Sequence, residues 1–384
     1  MNRFCSIFSQ LLKLFPRTEF QRLVKETRAE RHARGFTCWG QFVAMLFCQL
    51  GRAQSLREIC GGLASCEGKL VHLGINAPAR STLAYANEHR PWQLFEAVFH
   101  QLLDRCRGVA AQHGRKFRFK NKLMSLDSSV IDLCASLFDW AKFRRTKGAV
   151  KLHLLLDHDG YLPSVAVITE GKRADIRVAR RLRFEPGTIL VIDRGYIDFG
   201  WFAKLCADAV FFVTRTKRDT AYEVIQRRLA PLKGYVLSDE LVRLKHGPCR
   251  DTLRRVEIYL PDKDETMDLL TNHLDLAPST IAAIYKDRWQ VELFFKAIKQ
   301  NLKIKTFVGT SPNALRVQIW MALIAMLILR FLQLKSTFAW SLSNLVALLR
   351  MNLFVHRDLW AWINEPFEAS PQVPEPVQEM LAFG

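Results

Sequence analysis

The stretch Leu123-Met-Ser-Leu-Asp-Ser-Ser-Val-Ile131 marks a change of pattern in this 384-residue chain. It is a short apolar run that is typical of a β-strand, and it contains one carboxylate, Asp127. Two more apolar runs follow at 150–156 and 161–168, and Asp159-Gly160 between them is a strong hairpin signal. These residues predict a group of strands at the start of an α/β region.

The pattern after this hairpin alternates between helix and strand. A basic helix is predicted at 175–182, a strand at 188–193, a helix at 196–207 and a further strand at 209–214. The resulting order is three strands, helix, strand, helix, strand, which is the order of a ribonuclease H-like fold. Residues 216–277 alternate again like strands, so we predict an α/β, ribonuclease H-like core interrupted by a mainly β insertion.

Both ends of the chain are predicted to be helical. Residues 1–110 have helical patterning, including a capping box at Ser55-Leu-Arg-Glu58. Ser311-Pro312 begins an apolar helix that ends near residue 334, and a Pro-rich tail at 371–377 is predicted to be disordered. We therefore predict a helical N-terminal domain at 1–110, whose basic corners are consistent with DNA binding, an α/β domain at 111–335 and a helical C-terminal segment with its tail at 336–384.

The charge of the chain indicates the class of its partner. There are 56 Lys and Arg residues against 37 Asp and Glu residues, which gives a formal charge of +19. Such an excess favours an extended polyanion, most simply nucleic acid. Residues 105–122 are rich in basic side chains with Phe117 and Phe119 between them, which predicts either a segment that crosses a phosphate backbone or a solvated linker.

The cysteines and the apolar runs indicate the compartment. Nine cysteines occur without any C-x-x-C pair, which argues against a zinc site and a disulfide framework, so we expect reduced thiols packed as small hydrophobic residues. The uninterrupted apolar run Ile319–Leu329 has eleven residues, short of the roughly 20 that a bilayer requires. We expect a cytoplasmic, nucleoid-associated protein without a membrane partner.

A second stretch, Tyr285-Lys-Asp-Arg-Trp-Gln-Val-Glu-Leu-Phe-Phe-Lys-Ala-Ile-Lys299, is predicted to form one α-helix. At about 100° per residue, Tyr285, Arg288, Glu292 and Lys299 fall within an arc of about 60°, which Lys296 extends. The other side of the helix is apolar and predicted to be buried: it contains Ile284, Val291, Phe294, Phe295 and Ile298. An ordinary solvated face with an Arg288–Glu292 ion pair is the plain alternative.

The spacing Tyr-x2-Arg-x3-Glu-x6-Lys in this stretch resembles the signature of bacterial DDE transposases of the insertion-sequence-four family, whose members excise through DNA hairpins. Other segments resemble the family as well. They are Leu126-Asp127-Ser128-Ser129 for the first aspartate, Ile192-Asp193-Arg194-Gly195-Tyr196 for the second, and Thr271-Asn272 shortly before the signature helix.

The resemblance assigns catalytic and metal-binding roles to Asp127, Asp193 and Glu292. Cutting a phosphodiester needs an activated nucleophile, charge neutralisation at phosphorus and a stabilised leaving oxygen, and two Mg²⁺ ions about 3.5–4 Å apart can supply all three. Mn²⁺ is an expected substitute. A carboxylate among apolar strand residues is also costly to desolvate without a cation.

The resemblance further implies that Tyr285, Arg288 and Lys299 contact DNA phosphates beside the scissile bond, and we add Lys296 and Arg194 as DNA-binding candidates. Some hairpin-forming relatives trap a flipped base with an aromatic residue. The chain has no tryptophan between Leu205 and Arg288, so this residue is not identified. Trp289 is a candidate for it, but we favour packing on the helix flank for this residue.

These features predict a transposase that excises and inserts an insertion sequence by phosphodiester hydrolysis and strand transfer, through a hairpin intermediate. Its partners would be double-stranded DNA, as terminal inverted repeats and target, and a second protomer in the synaptic complex. Two alternatives stay open: another ribonuclease H-like nuclease, and a catalytically inactive DNA-binding protein derived from a transposase.

Overall fold

The computed structural model of the chain describes residues 5–367, except 32, 34, 67, 135–137, 139, 141, 145–146, 218, 230–233 and 303–306. The Pro-rich tail predicted at 371–377 lies outside the described residues.

The N-terminal region is helical where it is described. Its helices are α1 Ile7–Leu12, α2 Arg17–Glu26, α3 Cys38–Leu50, α4 Leu56–Ala64, α5 Arg80–His89 and α6 Gln93–Ala110. The predicted capping signal is confirmed at α4, where Ser55 Oγ accepts a hydrogen bond of 3.1 Å from the Glu58 N–H.

The described strands form one mixed sheet of ten. They are β1 Leu123–Cys134, β2 Lys142–Arg144, β3 Lys147–Asp157, β4 Leu162–Glu170, β5 Ile189–Ile192, β6 Phe211–Arg215, β7 Tyr222–Arg227, β8 Val236–Leu244, β9 Leu253–Leu260 and β10 Glu265–Thr271. The order along the sheet is β2-β3-β1-β5-β6-β10-β9-β8-β7, and β4 pairs with β3.

The first part of the sheet has the predicted order of elements. Strands β1, β3 and β4 are joined antiparallel, while β1, β5 and β6 are parallel. Helix α7 (Asp175–Ala179) lies between β4 and β5, and α8 (Phe199–Ala207) between β5 and β6. The predicted hairpin is confirmed, with Gly160 at φ +80° in the turn, a left-handed conformation that glycine adopts without strain. Strand β2 was not predicted.

The stretch predicted as β-rich contains β7 to β10, joined antiparallel in sequence. Its last strand also pairs antiparallel with β6, with Thr271 opposite Val213. The β insertion therefore continues the sheet of the α/β region and does not form a separate sheet.

The prediction of one helix over 285–299 is wrong. The structure has two helices, α9 Pro278–Asp287 and α10 Trp289–Asn301. At their junction the Arg288 N–H donates to the Tyr285 carbonyl, and the Val291 N–H donates to the Arg288 carbonyl. Both hydrogen bonds span three residues, and not the four of an α-helix, so the turn is tighter there. Arg288 itself keeps helical angles of φ −52° and ψ −31°. The apolar side predicted for this stretch is buried as expected.

The C-terminal helices are α11 Pro312–Lys335, α12 Leu342–Asn352 and α13 Leu359–Asn364. Within the described part of the chain, α11 is long and apolar enough to cross a membrane, but 83% of its apolar window is buried inside the protein. One hydrophobic cluster joins buried residues of α1 to α6 with those of α10 to α13. Helix α11 is therefore a core helix shared by both ends of the chain. The domain boundaries at 110 and 335 stay a prediction.

We predict that Leu323→Ala, which truncates a side chain with 0% exposure in α11, lowers the free energy of unfolding by about 2–5 kcal/mol. The substitution leaves a cavity in the shared cluster. Urea unfolding followed by circular dichroism measures the change. Leu229→Ala, at a side chain that is 99% exposed, is the matched control. Equal effects of the two substitutions would show that α11 does not form the core.

Candidate active site

Asp127 and Asp193 occupy adjacent positions on neighbouring parallel strands. Leu126 is the register partner of Ile192 in the β1–β5 ladder, and each aspartate is the next residue in its chain segment. Neighbouring strands lie about 4.8 Å apart. Asp193 also accepts a 3.5 Å hydrogen bond from the Gly195 N–H, which caps the short 3-10 turn Arg194–Tyr196. The sheet therefore presents two carboxylates side by side.

Arg288 connects Asp127 to the third carboxylate, Glu292. Its Nη1 lies 3.5 Å from Asp127 Oδ2, and its Nη2 lies 2.6 Å from Glu292 Oε1. The Arg288 side chain is only 12% exposed, against 20% for Asp127 and 33% for Glu292. Its Nε is buried and has no hydrogen-bond partner within the described part of the chain. The helix junction thus places a guanidinium between two of the predicted carboxylates.

The electrostatics of the site act most clearly on Asp127. The pKa of Asp127 is raised to about 6, mainly by burial, with the charges of Glu292 and Asp193 adding to the rise and the Ser128 N–H and Arg288 opposing it. Burial also raises the pKa of Tyr285, and the Asp193 charge adds to this rise. The Arg288 guanidinium lies 5.7 Å from the centre of the Tyr285 ring.

The other predicted cations lie around this centre. Lys299 donates from Nζ to Ser129 Oγ at 2.6 Å and to the Val130 carbonyl at 2.9 Å, so its ammonium rests on β1 two to three residues beyond Asp127. Lys296 and Arg194 are exposed. The structure therefore brings together the three carboxylates, Arg288 and Tyr285, and leaves the other cations at the margin.

Trp289 does not pack on the helix flank as we expected. Its side chain is 56% exposed. The packing interpretation is wrong because the chain turns at Arg288, and Trp289 is the first residue of α10 and not a mid-helix residue.

A hydrogen-bonded network that sequence reasoning missed joins β1 to the same helix junction. Ser125 Oγ lies 2.7 Å from His158 Nε2, and His158 Nδ1 lies 2.7 Å from Asp287 Oδ2. Lys116 Nζ and the Tyr161 hydroxyl also contact the Asp287 carboxylate, at 2.5 and 3.3 Å. Ser125 precedes Asp127 by two residues and Asp287 directly precedes Arg288, so the network fixes the carboxylate strand against the guanidinium. No local pattern signals it, because its members come from separate elements.

The basic segment at 105–122 is held against the protein by ion pairs. Arg115 Nη2 lies 2.9 Å from Asp159 Oδ2, and Lys122 Nζ lies 3.6 Å from Asp157 Oδ2. Together with the Lys116–Asp287 pair, these contacts fix the segment along the β3–β4 hairpin and the end of α9. Arg118 and Lys120 in the same segment are exposed, and a contact of the segment with DNA stays a prediction.

The family of the chain follows from comparison with known proteins. A family model described as the transposase DDE domain matches residues 118–328, which is more than half of the chain. The chain belongs to this family of DDE transposases. A second model, described as a domain of unknown function (DUF4372), matches residues 5–76 of the transposase.

Curated relatives agree with this assignment. The transposase is 33% identical over 328 residues to a Sinorhizobium fredii protein named as transposase y4zB, a match that covers 83% of this chain and 90% of the relative. It is 30% identical over 257 residues to a Geobacillus stearothermophilus protein named as the transposase of insertion sequence element IS5377, covering 66% of this chain and 67% of that one.

Among solved structures, the piggyBac transposase synaptic complex with hairpin DNA aligns with a TM-score of 0.43 and 10% identity, over 97% of this chain and 84% of that chain. A similarity this low supports no argument about the site. The family membership itself confirms the resemblance noted in the sequence: the chain is a DDE-type DNA transposase, and the family implies dependence on divalent metal ions.

We predict that Asp287→Asn lowers the free energy of unfolding at about pH 7 by about 1–3 kcal/mol, because the carboxylate's hydrogen bonds are buried. Burial would raise the pKa of Asp287, but hydrogen bonds and charges from His158 and Lys116 outweigh it and hold the pKa below the ordinary value of 3.8. This stabilisation is therefore complete above that value and is lost as the pH falls through the folded-state pKa.

Urea unfolding of wild type and variant between about pH 7 and about pH 3 measures this difference. The difference in the free energy of unfolding between wild type and variant should become smaller below about pH 4. Asp132→Asn, at an exposed carboxylate on β1, is the control and should change little. A difference in the free energy of unfolding that does not depend on pH would show that it does not come from the charge of Asp287.

Proposed function

We propose that this transposase cuts and joins DNA at a site formed by Asp127, Asp193 and Glu292, and so excises and inserts an insertion sequence. The observation that carries the proposal is the Arg288 bridge between Asp127 and Glu292, beside the strand that ends at Asp193. Two of the carboxylates flank one guanidinium, and the third, Asp193, follows the strand that pairs with that of Asp127.

We propose a ribonuclease H-like core for the region that contains this site. The strand order β4-β3-β1-β5-β6, with β3 antiparallel to its neighbours and β1, β5 and β6 parallel, supports this assignment. Asp127 lies on the central strand of this group, and Asp193 follows the adjacent one. The predicted insertion at 216–277 lies between the strand group and the helices that contain Tyr285 and Glu292.

Divalent metal ions fit the residues at this site. The carboxylates are hard oxygen donors, and the pKa of Asp127 is raised to about 6 mainly by burial and further by Glu292 and Asp193, so a cation would relieve a real repulsion. We propose Mg²⁺ as the ion, held as a pair by Asp127, Asp193 and Glu292, with Mn²⁺ as a substitute. When bound, such ions activate the nucleophile, neutralise charge at phosphorus and stabilise the leaving oxygen.

The cationic residues bind and orient the DNA. Arg288 contacts Asp127 and Glu292, and its planar guanidinium suits a phosphate held through its remaining Nη hydrogens. Tyr285 adds a hydroxyl close to Arg288. Lys299, Lys296 and Arg194 supply point charges around the carboxylates, in keeping with the +19 charge of the chain.

The reaction then has two stages on double-stranded DNA. Water attacks the phosphodiester at the end of the element and frees a 3′ hydroxyl, which attacks the opposite strand to form a hairpin or attacks the target. Exposed Trp289, next to Arg288, offers a ring face on which an unstacked base could stack during hairpin formation. Two terminal inverted repeats on two protomers would form the synaptic complex, and the protein would act at the nucleoid in the cytoplasm.

We predict that alanine at Asp127, Asp193 or Glu292 lowers strand cleavage about 100-fold or more, because the metal ions supply several kcal/mol of transition-state stabilisation. The assay uses a duplex that contains the element's own end, with Mg²⁺ or Mn²⁺, and denaturing gels that separate nicked, hairpin and joined products. Asp132→Ala, at an exposed carboxylate on the same strand as Asp127, should cut like wild type.

Binding of the same duplex, measured in parallel, separates the alternatives. Wild type that binds but never cuts would favour the inactive DNA-binding protein. Triad variants that cut as well as wild type would place the reaction elsewhere. Cleavage without regard to the element's ends would favour another ribonuclease H-like nuclease.

We predict that Lys296→Ala weakens binding of the element's end and lowers the slope of log affinity against log salt concentration by about 1, because each phosphate contact releases about one counterion. Fluorescence anisotropy over a range of salt concentrations measures both. Lys286→Ala is the matched control, since Lys286 is also exposed but lies outside the basic arc. Equal slopes for the two variants would remove Lys296 from the interface.

A further inference from the structure

Cys206 meets Cys249 and Asp251, which are distant from it in sequence, on the face of the sheet away from the carboxylates. Cys206 is near the end of α8, and Cys249 and Asp251 lie in the loop between β8 and β9. Both cysteines belong to the apolar cluster that contains Leu126 and Ile192. Side chains alternate between the two faces along a strand, so Asp193 lies on the same face as Val191, which packs with α9. The group is therefore separate from the carboxylate site.

The spacing of the three side chains suits a tetrahedral ion. One ligand atom from each, a sulfur or a carboxylate oxygen, lies within 4.8 Å of the other two. Cys249 Sγ lies 3.8 Å from Asp251 Oδ2. With Zn–S bonds of about 2.3 Å and Zn–O bonds of about 2.0–2.2 Å, two ligands of a tetrahedral zinc ion lie about 3.5–3.8 Å apart. Small side-chain movements would close the group around such an ion.

The surroundings combine a dry interior with an open side. Cys249 has 0% exposure and Cys206 is half-buried, while Asp251 is exposed. An ion can therefore reach the thiols from the Asp251 side, where water can occupy a fourth position.

The backbone that presents the ligands is fixed by other contacts. Gly247 in the loop has φ +97°, and a Cβ there would approach Phe199 of α8 to 3.1 Å, so the loop packs closely on the helix. On the other side, Asn272 Nδ2 donates to Cys206 Sγ at 3.4 Å and to the Val210 carbonyl at 2.9 Å. A site that is held in place before binding loses little entropy when an ion binds.

We propose that Cys206, Cys249 and Asp251 bind a zinc ion through three protein ligands and one water. Binding displaces the two thiol protons to solvent and involves no change of oxidation state. The ion would clip the β8–β9 loop of the β insertion to α8, the helix that follows Asp193. The absence of a C-x-x-C pair argued against zinc in the sequence, but here the ligands come from two separate elements.

Cobalt binding to the reduced, tag-free, full-length protein tests the proposal. Co²⁺ bound by thiolates gives an intense charge-transfer absorption in the near ultraviolet, which oxygen ligands such as the carboxylate triad do not give. We expect this band in wild type, its removal by added Zn²⁺, and its loss in Cys206→Ala and Cys249→Ala. Cys106→Ala, at a buried thiol in the helical cluster, is the matched control and should keep it.

Asp251→Ala keeps both thiols and changes an exposed side chain, so it tests the site without disturbing the core. We expect it to weaken Zn²⁺ binding about 10-fold or more and to reduce the rise in melting temperature that Zn²⁺ gives in wild type. Absence of the cobalt band in folded wild type, or its persistence in both cysteine variants, would overturn the proposal.

Discussion

The arrangement of this transposase depends on one guanidinium held between carboxylates. Asp127 and Glu292 would repel each other in a poorly solvated site, and Asp193 on the next strand adds to the repulsion. Arg288 offsets it with contacts of 3.5 and 2.6 Å. Its position is set by the break between α9 and α10, which is also where the chain passes from one core to another. Buried residues of α9 pack with the sheet, and those of α10 pack with the helical cluster. The break thus lies between two hydrophobic clusters.

Local patterns predicted most of the elements, and motif spacing predicted the carboxylates. The apolar run around Asp127 and the Asp159-Gly160 turn are short-range signals, and both strands and hairpin follow from them. The break at Arg288 could not be predicted in this way, because the helical periodicity of 285–299 continues across it. The contacts of His158 with Ser125 and Asp287, and the meeting of Cys206 with Cys249, depend on how distant elements pack, so no local pattern contains them.

The helices at the two ends of the chain share one interior. Helix α11 packs against α3, α5 and α6, and the segment that matches the domain of unknown function, residues 5–76, includes α3 and α4. Any movement of the N-terminal helices would therefore be transmitted through α11 to α10, which contains Glu292. Close-packed interiors transmit such displacements because they contain few voids that could absorb them.

The inserted strands are part of the main sheet, because β10 pairs with β6. An inserted segment is commonly an appendage that can be shortened with little harm, but this one covers the hydrogen-bonding edge of β6 through its pairing with β10. Removing β7 to β10 would leave that edge bare, next to the strand that ends at Asp193, and an uncovered strand edge is a template for aggregation. The insertion therefore covers the edge of β6, which pairs with the strand that ends at Asp193. A shortened relative would need another way to cover the same edge.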